Sequence, residues 1–328
     1  MKLLSIVVPC CNEAANLREL HRRLSDTGRG LELAYEIIFV DDGSQDASPS
    51  ILRELADADS HVRVVTLARN FGHQAALTAG LEHARGDAVM QLDGDLQHPP
   101  ELIPHFVARW QEGYEVVYGY RRDVRPRFGY RVINALLEVQ IPVESADFRL
   151  MDRQVVDALL QMPERARFLR GMIAWLGFRQ IGIAYREDER FAGSRAYSLR
   201  KRFRLALDGV LAFSFVPLRI AAALGGVTLI LGLVYAAYIL IWYATGGYDV
   251  PGWTGTMMAI LILGGVQLLC LGLIAEYIGK IFEEVKRRPL YVVRDRQGFG
   301  PAEDSQATPP DGAESPPTSG ETKTPHRS

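Results

Sequence analysis

The chain is poor in cysteine, balanced in charge and, outside two stretches, without long apolar runs. Its three cysteines in 328 residues are Cys10 and Cys11, which are adjacent, and Cys270, which sits in an apolar run. They cannot build a disulfide framework, so they read as structural thiols of a reducing compartment. Thirty-seven Lys and Arg against 39 Asp and Glu leave a formal net charge of −2. That excludes the basic footprint of a nucleic-acid binder. The opening "MKLLSIVVPCCNE" meets Pro9 and then Asn12-Glu13 after a short apolar core. It is too brief for a signal peptide and reads as a first buried strand.

The two exceptions run from residue 216 to 244 and from 256 to 278. Each reaches the ~20 residues that cross a bilayer. The link between them carries no Lys or Arg, whereas Arg200, Lys201, Arg202, Arg204, Arg219, Lys280, Lys286, Arg287 and Arg288 flank the outer ends. The positive-inside rule then puts both outer flanks in the cytoplasm. Residues 200–215 alternate basic and apolar positions at helical spacing, as an interfacial helix does. After about Gln297 the sequence is Pro, Ser, Thr, Gly and Glu with almost no large apolar residue, which is the composition of a disordered tail. The expected organisation is a soluble domain over 1–199, an interfacial helix over 200–215, a membrane hairpin over 216–279, a cytoplasmic juxtamembrane segment over 280–296 and a tail over 297–328.

Within the soluble part, apolar runs at 3–9, 35–41, 62–67, 88–92 and 115–120 alternate with helix-spaced patterns at 16–25, 48–58, 74–84 and 101–111. Strands this rich in Val, Ile and Leu are buried on both faces. The alternation predicts an α/β domain with a mostly parallel sheet, and ligands of such sheets sit at the carboxyl ends of the strands. Those ends read Pro9-Cys10-Cys11-Asn12-Glu13, Asp41-Asp42-Gly43-Ser44-Gln45-Asp46 and Asp93-Gly94-Asp95. Asn12 is expected to cap the first helix, and Asp46 or Ser48 the second. Asp41, Asp42, Asp93 and Asp95 have no such structural reason to converge on one edge. Carboxylates gathered there fit a divalent cation shared with a phosphorylated ligand, because Mg²⁺ takes one or two carboxylates plus substrate phosphates. His98, beside Pro99-Pro100, reads as a surface or capping group.

"VVPCCNEAANL", "DDGSQD" and "LDGDLQHPPE", in this order, resemble the family 2 glycosyltransferases of the GT-A fold. The likeness continues through "SADFRLMDRQVVD", "RFAGSRAYSLRKRFRLALDGV" and "FSFVPLR" to "LGLIAEYIGKIFEEVKRRPLYVV". Over roughly residues 3–294 the chain is similar to polyprenyl-phosphate glycosyltransferases, the bactoprenol glucosyltransferases with their C-terminal membrane helices foremost and the dolichol-phosphate mannosyltransferases next. The resemblance implies that Pro9, Glu13 and Asp42 hold the base and ribose of a nucleotide sugar, with Asp41 and Arg121 beside them. It implies that Asp93, Asp95 and Gln97 surround Mg²⁺ or Mn²⁺, and that Asp147 lies near the reaction centre. UDP-glucose is the favoured donor by this likeness, GDP-mannose or a modified sugar the alternative, and polyprenyl phosphate the acceptor.

A lipid phosphate is already an anion and needs no general base; it needs cations that let two anions meet. Arg121, Arg122, Arg149, Arg190, Arg195, Arg200 and Lys201 supply them. Arg195 stands where the family loop usually has lysine, keeping the charge with a planar fork. The resemblance, together with the lack of any evident enzymic nucleophile, implies inverting transfer of a single sugar. A processive synthase would add a Q-x-x-R-W motif and more spans. A non-catalytic nucleotide-binding scaffold would not need the intact aspartates. A homo-oligomer is compatible with the sequence and undecided by it.

Overall fold

A computed structural model describes residues 1–121, 145–165, 167–186, 216–245 and 252–300. Arg122, Arg190, Arg195, Arg200, Lys201, the interfacial segment 200–215 and the tail beyond 300 lie outside the described residues.

The first half follows the expected alternation: β1 (Leu3–Cys10), α1 (Ala14–Arg29), β2 (Ala34–Asp41), α2 (Ser48–Ala58), β3 (Val62–Leu67), α3 (His73–His83), β4 (Ala88–Gln91), a 3₁₀ turn (Pro100–Leu102), α4 (Ile103–Gln111) and β5 (Val116–Arg121). Then come β6 (Ser145–Asp152), α5 (Arg153–Gln161), α6 (Leu169–Trp175) and β7 (Gln180–Tyr185). Pro49 sits at the start of α2, where its missing N–H has no partner to lose.

The described strands form one sheet in the order β7-β5-β6-β4-β1-β2-β3-β8. β4, β1, β2 and β3 run parallel, and β6 enters antiparallel between β4 and β5. Alternation along each strand feeds two cores. One collects Leu4, Ile6, Phe39, Met90 and Phe148 beneath α1, α2 and α4. The other collects Val7, Val40, Val89 and Met151 beneath α3, α5 and α6. Because Phe148 and Leu150 of β6 face the first core, Asp147 and Arg149 face the side of α3 and α6.

The apolar runs form α7 (Val216–Ala244) and α8 (Gly252–Val285). Both contain stretches long and apolar enough to cross a membrane, Ala221–Trp242 and Ile262–Val285. The two helices pack together, with Cys270 Sγ 3.7 Å from the Ala221 carbonyl oxygen. Side chains such as Leu229, Leu233, Leu268 and Leu271 are exposed, as lipid-facing positions are. The 34 residues of α8 span about 51 Å at 1.5 Å per residue, more than the ~30 Å hydrocarbon core. The helix is therefore longer than such a core.

The sequence puts residues 280–296 in a juxtamembrane segment and starts the tail at 297; the structure divides this stretch differently. Residues Val293–Gln297 form β8, antiparallel to β3 at the sheet edge. Tyr291 Oη also hydrogen-bonds Glu82 of α3. A five-residue edge strand with alternating charges has no periodicity of its own, and only the unpaired edge of β3 gives it a place to bond.

Candidate active site

The loops after β1 and β2 hold each other. Asn12 N donates to Ser44 Oγ (2.9 Å), and Gln45 N donates to Asn12 Oδ1 (2.8 Å). Glu13 N donates to Ser48 Oγ (3.0 Å), while Asp46 accepts from Ala14 N through Oδ2 and from Ser48 N through Oδ1. The capping expectation is thus corrected. Asn12 braces the neighbouring loop rather than α1, and Ser48 serves the start of α1 rather than α2. Asp46 bonds at the start of both helices. The exchange across strands follows from β1 and β2 being adjacent and ending together.

Asp41 and Asp42 are both buried. Asp41 Oδ1 accepts from Ser44 N (3.0 Å) and shapes its own loop. Asp42 takes Phe71 N on Oδ1 (2.7 Å) and Gly72 N on Oδ2 (2.9 Å), so it fixes the turn that launches α3. Gly72 has φ 101° and ψ 155°, a conformation open to glycine alone. Pro9 is buried at the end of β1, and Glu13, half-buried, accepts from Asn16 Nδ2 at 2.6 Å. Arg121 is exposed at the end of β5.

α3 begins at His73, a residue that sequence reasoning passed over. Its Nε2 lies 3.4 Å from Asp93 Oδ1 and 3.3 Å from Asp147 Oδ2. Burial draws the His73 pKa down, but the hydrogen bond to Asp147 and the two carboxylates outweigh it, and the value stands above the ordinary imidazole range. Arg170, also unforeseen, sends Nε to Asp147 Oδ1 at 2.8 Å, with Arg149 Nη2 3.7 Å from the same oxygen. Asp147 is buried. Burial alone would raise its pKa, yet His73, Arg170 and Arg149 hold it well below the usual carboxylate range. It is a fixed anion clamped by cations. The only signal for His73 and Arg170 in the sequence was their place in polar helix starts, which is no signal at all without the fold.

The Asp93-Gly94-Asp95 loop leaves β4 against the end of β1. A Cβ on Gly94 would stand 3.2 Å from the Pro9 carbonyl oxygen and 3.4 Å from Cys10 Cβ, so glycine lets the two strand ends close up. Asp95 Oδ1 accepts from Gln97 N (3.2 Å). His98 is not on the surface but buried. It stacks on Phe148 at 5.0 Å, and its Nδ1 accepts from Asp93 N at 3.1 Å. His98 thus positions the acidic loop through this backbone contact.

Asp93 is one-third exposed, with its Oδ1 buried and lacking a hydrogen bond. Burial first, then Asp147 and Asp95, lift its pKa above the ordinary value against the pull of His98 and His73. Among the described residues no group of three or more His, Cys, Asp or Glu is arranged to hold a metal ion. Two carboxylates of which one has an orphaned oxygen still fit a divalent cation of the Mg²⁺ type, which keeps most positions for water and phosphate oxygens. The structure therefore gathers Pro9, Asp41, Asp42, Asp93, Asp95, Asp147 and Arg149 at one edge of the sheet, with His73, His98 and Arg170 added.

Two family models match in succession: glycosyl transferase family 2 over residues 5–160 and the GtrB C-terminal hairpin over 216–281. An uncharacterized glycosyltransferase of Synechocystis is 44% identical over 90% of this chain and 96% of its own. The chain belongs to glycosyltransferase family 2. Bactoprenol glucosyl transferase of Shigella phage SfII is 37% identical, with 89% of this chain and 97% of its own covered. Among solved structures, glucosyl-3-phosphoglycerate synthase of Mycobacterium tuberculosis, in complex with Mn²⁺, UDP and phosphoglyceric acid, is 22% identical with a TM-score of 0.46. That alignment covers 64% of this chain and 76% of the synthase. As a member of this family the protein is a glycosyltransferase, built as a GT-A α/β domain followed by two apolar helices.

Proposed function

We propose that this glycosyltransferase moves one sugar, glucose from UDP-glucose, onto polyprenyl phosphate at the cytoplasmic face of a membrane, with inversion at the anomeric carbon. One observation carries the reading. An acidic pair with an orphaned oxygen (Asp93, Asp95) adjoins a cationic set, buried Arg149 with partly exposed Arg170 and exposed His73, at one sheet edge, in a chain that carries a GtrB-type hairpin.

Asp93 and Asp95, with Gln97 beside them, would hold Mg²⁺ or Mn²⁺, which when bound offsets charge on the departing nucleoside diphosphate. Asp42 has one backbone N–H on each oxygen; a carboxylate offers about four lone-pair directions, so two remain for a ribose or base, alongside Pro9 and Glu13. Asp41 supports that loop, and Arg121 stands at the rim. The bond formed joins an acceptor phosphate oxygen to the anomeric carbon, and the bond broken links that carbon to the diphosphate. No proton need be removed, because a phosphate monoester is ionised at neutral pH. The state of Asp147 supports this. A carboxylate held far below neutrality by Arg170, His73 and Arg149 is a poor base, but it orders the guanidinium groups that face the incoming anion. Arg190 and Arg195 belong to the same proposal through their family motif.

Membranes carrying the protein, incubated with labelled UDP-glucose, Mg²⁺ or Mn²⁺ and undecaprenyl phosphate, should yield a lipid-extractable product. Asp95→Asn should cut that yield about 10²-fold or more, and chelation should do the same. Equal yield from the variant would end the metal assignment; no product from wild type would end the functional one.

A further inference from the structure

Where α8 ends, a cleft of about 600 Å³ opens between the helix terminus and the loop joining α5 to α6. Three guanidinium-bearing residues line it, Arg165 from the loop and Arg287 and Arg288 from the segment after α8, with Pro163, Val285 and Leu290 as its apolar part. Glu284 is the one acid in the lining. Its Oε1 accepts from Arg165 N at 2.9 Å, and Arg165 Nη1 donates to the Glu283 carbonyl, so the catalytic domain is fastened to the helix end here.

We propose that this cleft binds the phosphomonoester headgroup of a prenyl-phosphate lipid and stages it beside the reaction centre. The identity of the ligand rests on the functional reading above; the existence of the site does not. Charge complementarity favours a monoester: three cations and one anion leave about +2, matching the −1.5 to −2 of a phosphate monoester near pH 7, which a diester lipid does not reach. Depth agrees, because the apolar run ends near residue 278 and the cleft lies about two turns further on, past Lys280 and Glu283, at the level of a headgroup. A headgroup would meet the arginines while its chain lay along the exposed Val285 side.

The positive-inside rule explains basic residues at a span end, but not why they surround a cavity completed by the catalytic domain. The neighbouring basic residue is otherwise engaged: Lys286 Nζ lies 2.9 Å from Glu283 Oε1 and over the Phe282 ring. Arg287 and Arg288 make no ion pair within 4 Å among the described residues. Arg287 also holds φ 47° just past the helix end, where glycine is the usual occupant. The loop supplying Arg165 leads straight into α6, whose Arg170 bonds Asp147, and Leu169 N donates to Gln74 Oε1 next to His73. The cleft is thus one short loop from the reaction cluster.

The test uses full-length protein in phosphatidylcholine nanodiscs and labelled undecaprenyl phosphate without donor. Arg287→Gln with Arg288→Gln should weaken binding about ten-fold or more, as loss of charge-assisted hydrogen bonds does. Replacing both by Lys should restore most of it, since a phosphate accepts an ammonium as a point charge, and that rescue excludes misfolding as the cause. In turnover the acceptor KM should rise while the donor KM holds. Undecaprenol should not compete, and phosphatidylglycerol only weakly. Unchanged binding in the double Gln variant, or displacement by phosphatidylglycerol as effective as by unlabelled ligand, overturns the site. Arginine-dependent binding in a protein that transfers no sugar would uphold the site and overturn the functional reading instead.

Discussion

Asp147→Asn tests whether the buried anion is a clamp or a base. The substitution keeps the shape and removes the charge that Arg170 Nε meets at 2.8 Å and His73 Nε2 at 3.3 Å. Asp147 and Arg149 side chains are only 8% and 3% exposed, whereas Arg170 and His73 are 35% and 43% exposed, so solvent takes over part of their pairing. Removing one partner of a buried ion pair costs about 3–5 kcal/mol, because the other charge stays buried and uncompensated. Asparagine can still accept from Arg170, which points to the lower end. In a domain of this size about 3 kcal/mol lowers the melting temperature by about 6–12 °C. The assay is thermal unfolding of detergent-purified protein, followed by tryptophan fluorescence, at pH 7 and again below pH 4. The sign follows from the depressed pKa of Asp147. Its stabilisation is complete above the unfolded carboxyl value near 4 and fades as pH falls through the lower folded value. The gap between wild type and variant should therefore be widest at neutral pH and narrow in acid. Combining Asp147→Asn with Arg170→Gln should cost less than the two single losses added, since the partners contact each other. A variant that melts within about 1 °C of wild type yet has lost turnover would refute the clamp and make Asp147 a catalytic base.

Other substitutions probe the frame around the site. Gly72→Ala has open space for its methyl, so its cost is backbone strain at φ 101°, about 1–3 kcal/mol, read in chemical denaturation. Because Gly72 precedes His73, transfer activity should fall with it. His98→Phe keeps the stack on Phe148 but leaves the Asp93 N–H without its acceptor; about 1–3 kcal/mol of stability should go, together with metal-dependent turnover. Asp59 lies far from the site, at the end of α2, and its pKa is lowered to about 2. Burial opposes that shift, but hydrogen bonds from His61 and His21 prevail. A depressed carboxyl stabilises above its unfolded value, so about 2 kcal/mol should be lost as pH falls from near 4 toward 2. Asp59→Asn should flatten that part of the melting-temperature profile.

Much of this was legible in the sequence. Runs of Val, Ile and Leu bounded by Gly, Asp and Pro have a meaning that does not depend on distant residues, so β1 through β5 and the helices between them fall within a few positions of expectation. The aspartates gather at one edge because every parallel strand must release its chain on the same side. The two apolar helices follow from length and hydropathy alone. What the sequence could not decide is where the later strands insert. β6 bonds between β4 and β5, and β8 closes the β3 edge, through partners tens to hundreds of residues away. Those insertions bring Asp147 beside His73 and Arg170, and Arg165 beside the end of α8. Strand propensity is local, but a hydrogen-bonded ladder and a buried ion cluster are properties of pairs. Pairs exist only once the chain has closed on itself, and that is why the acidic half of the site was written in the sequence while its cationic half was assembled by the tertiary structure.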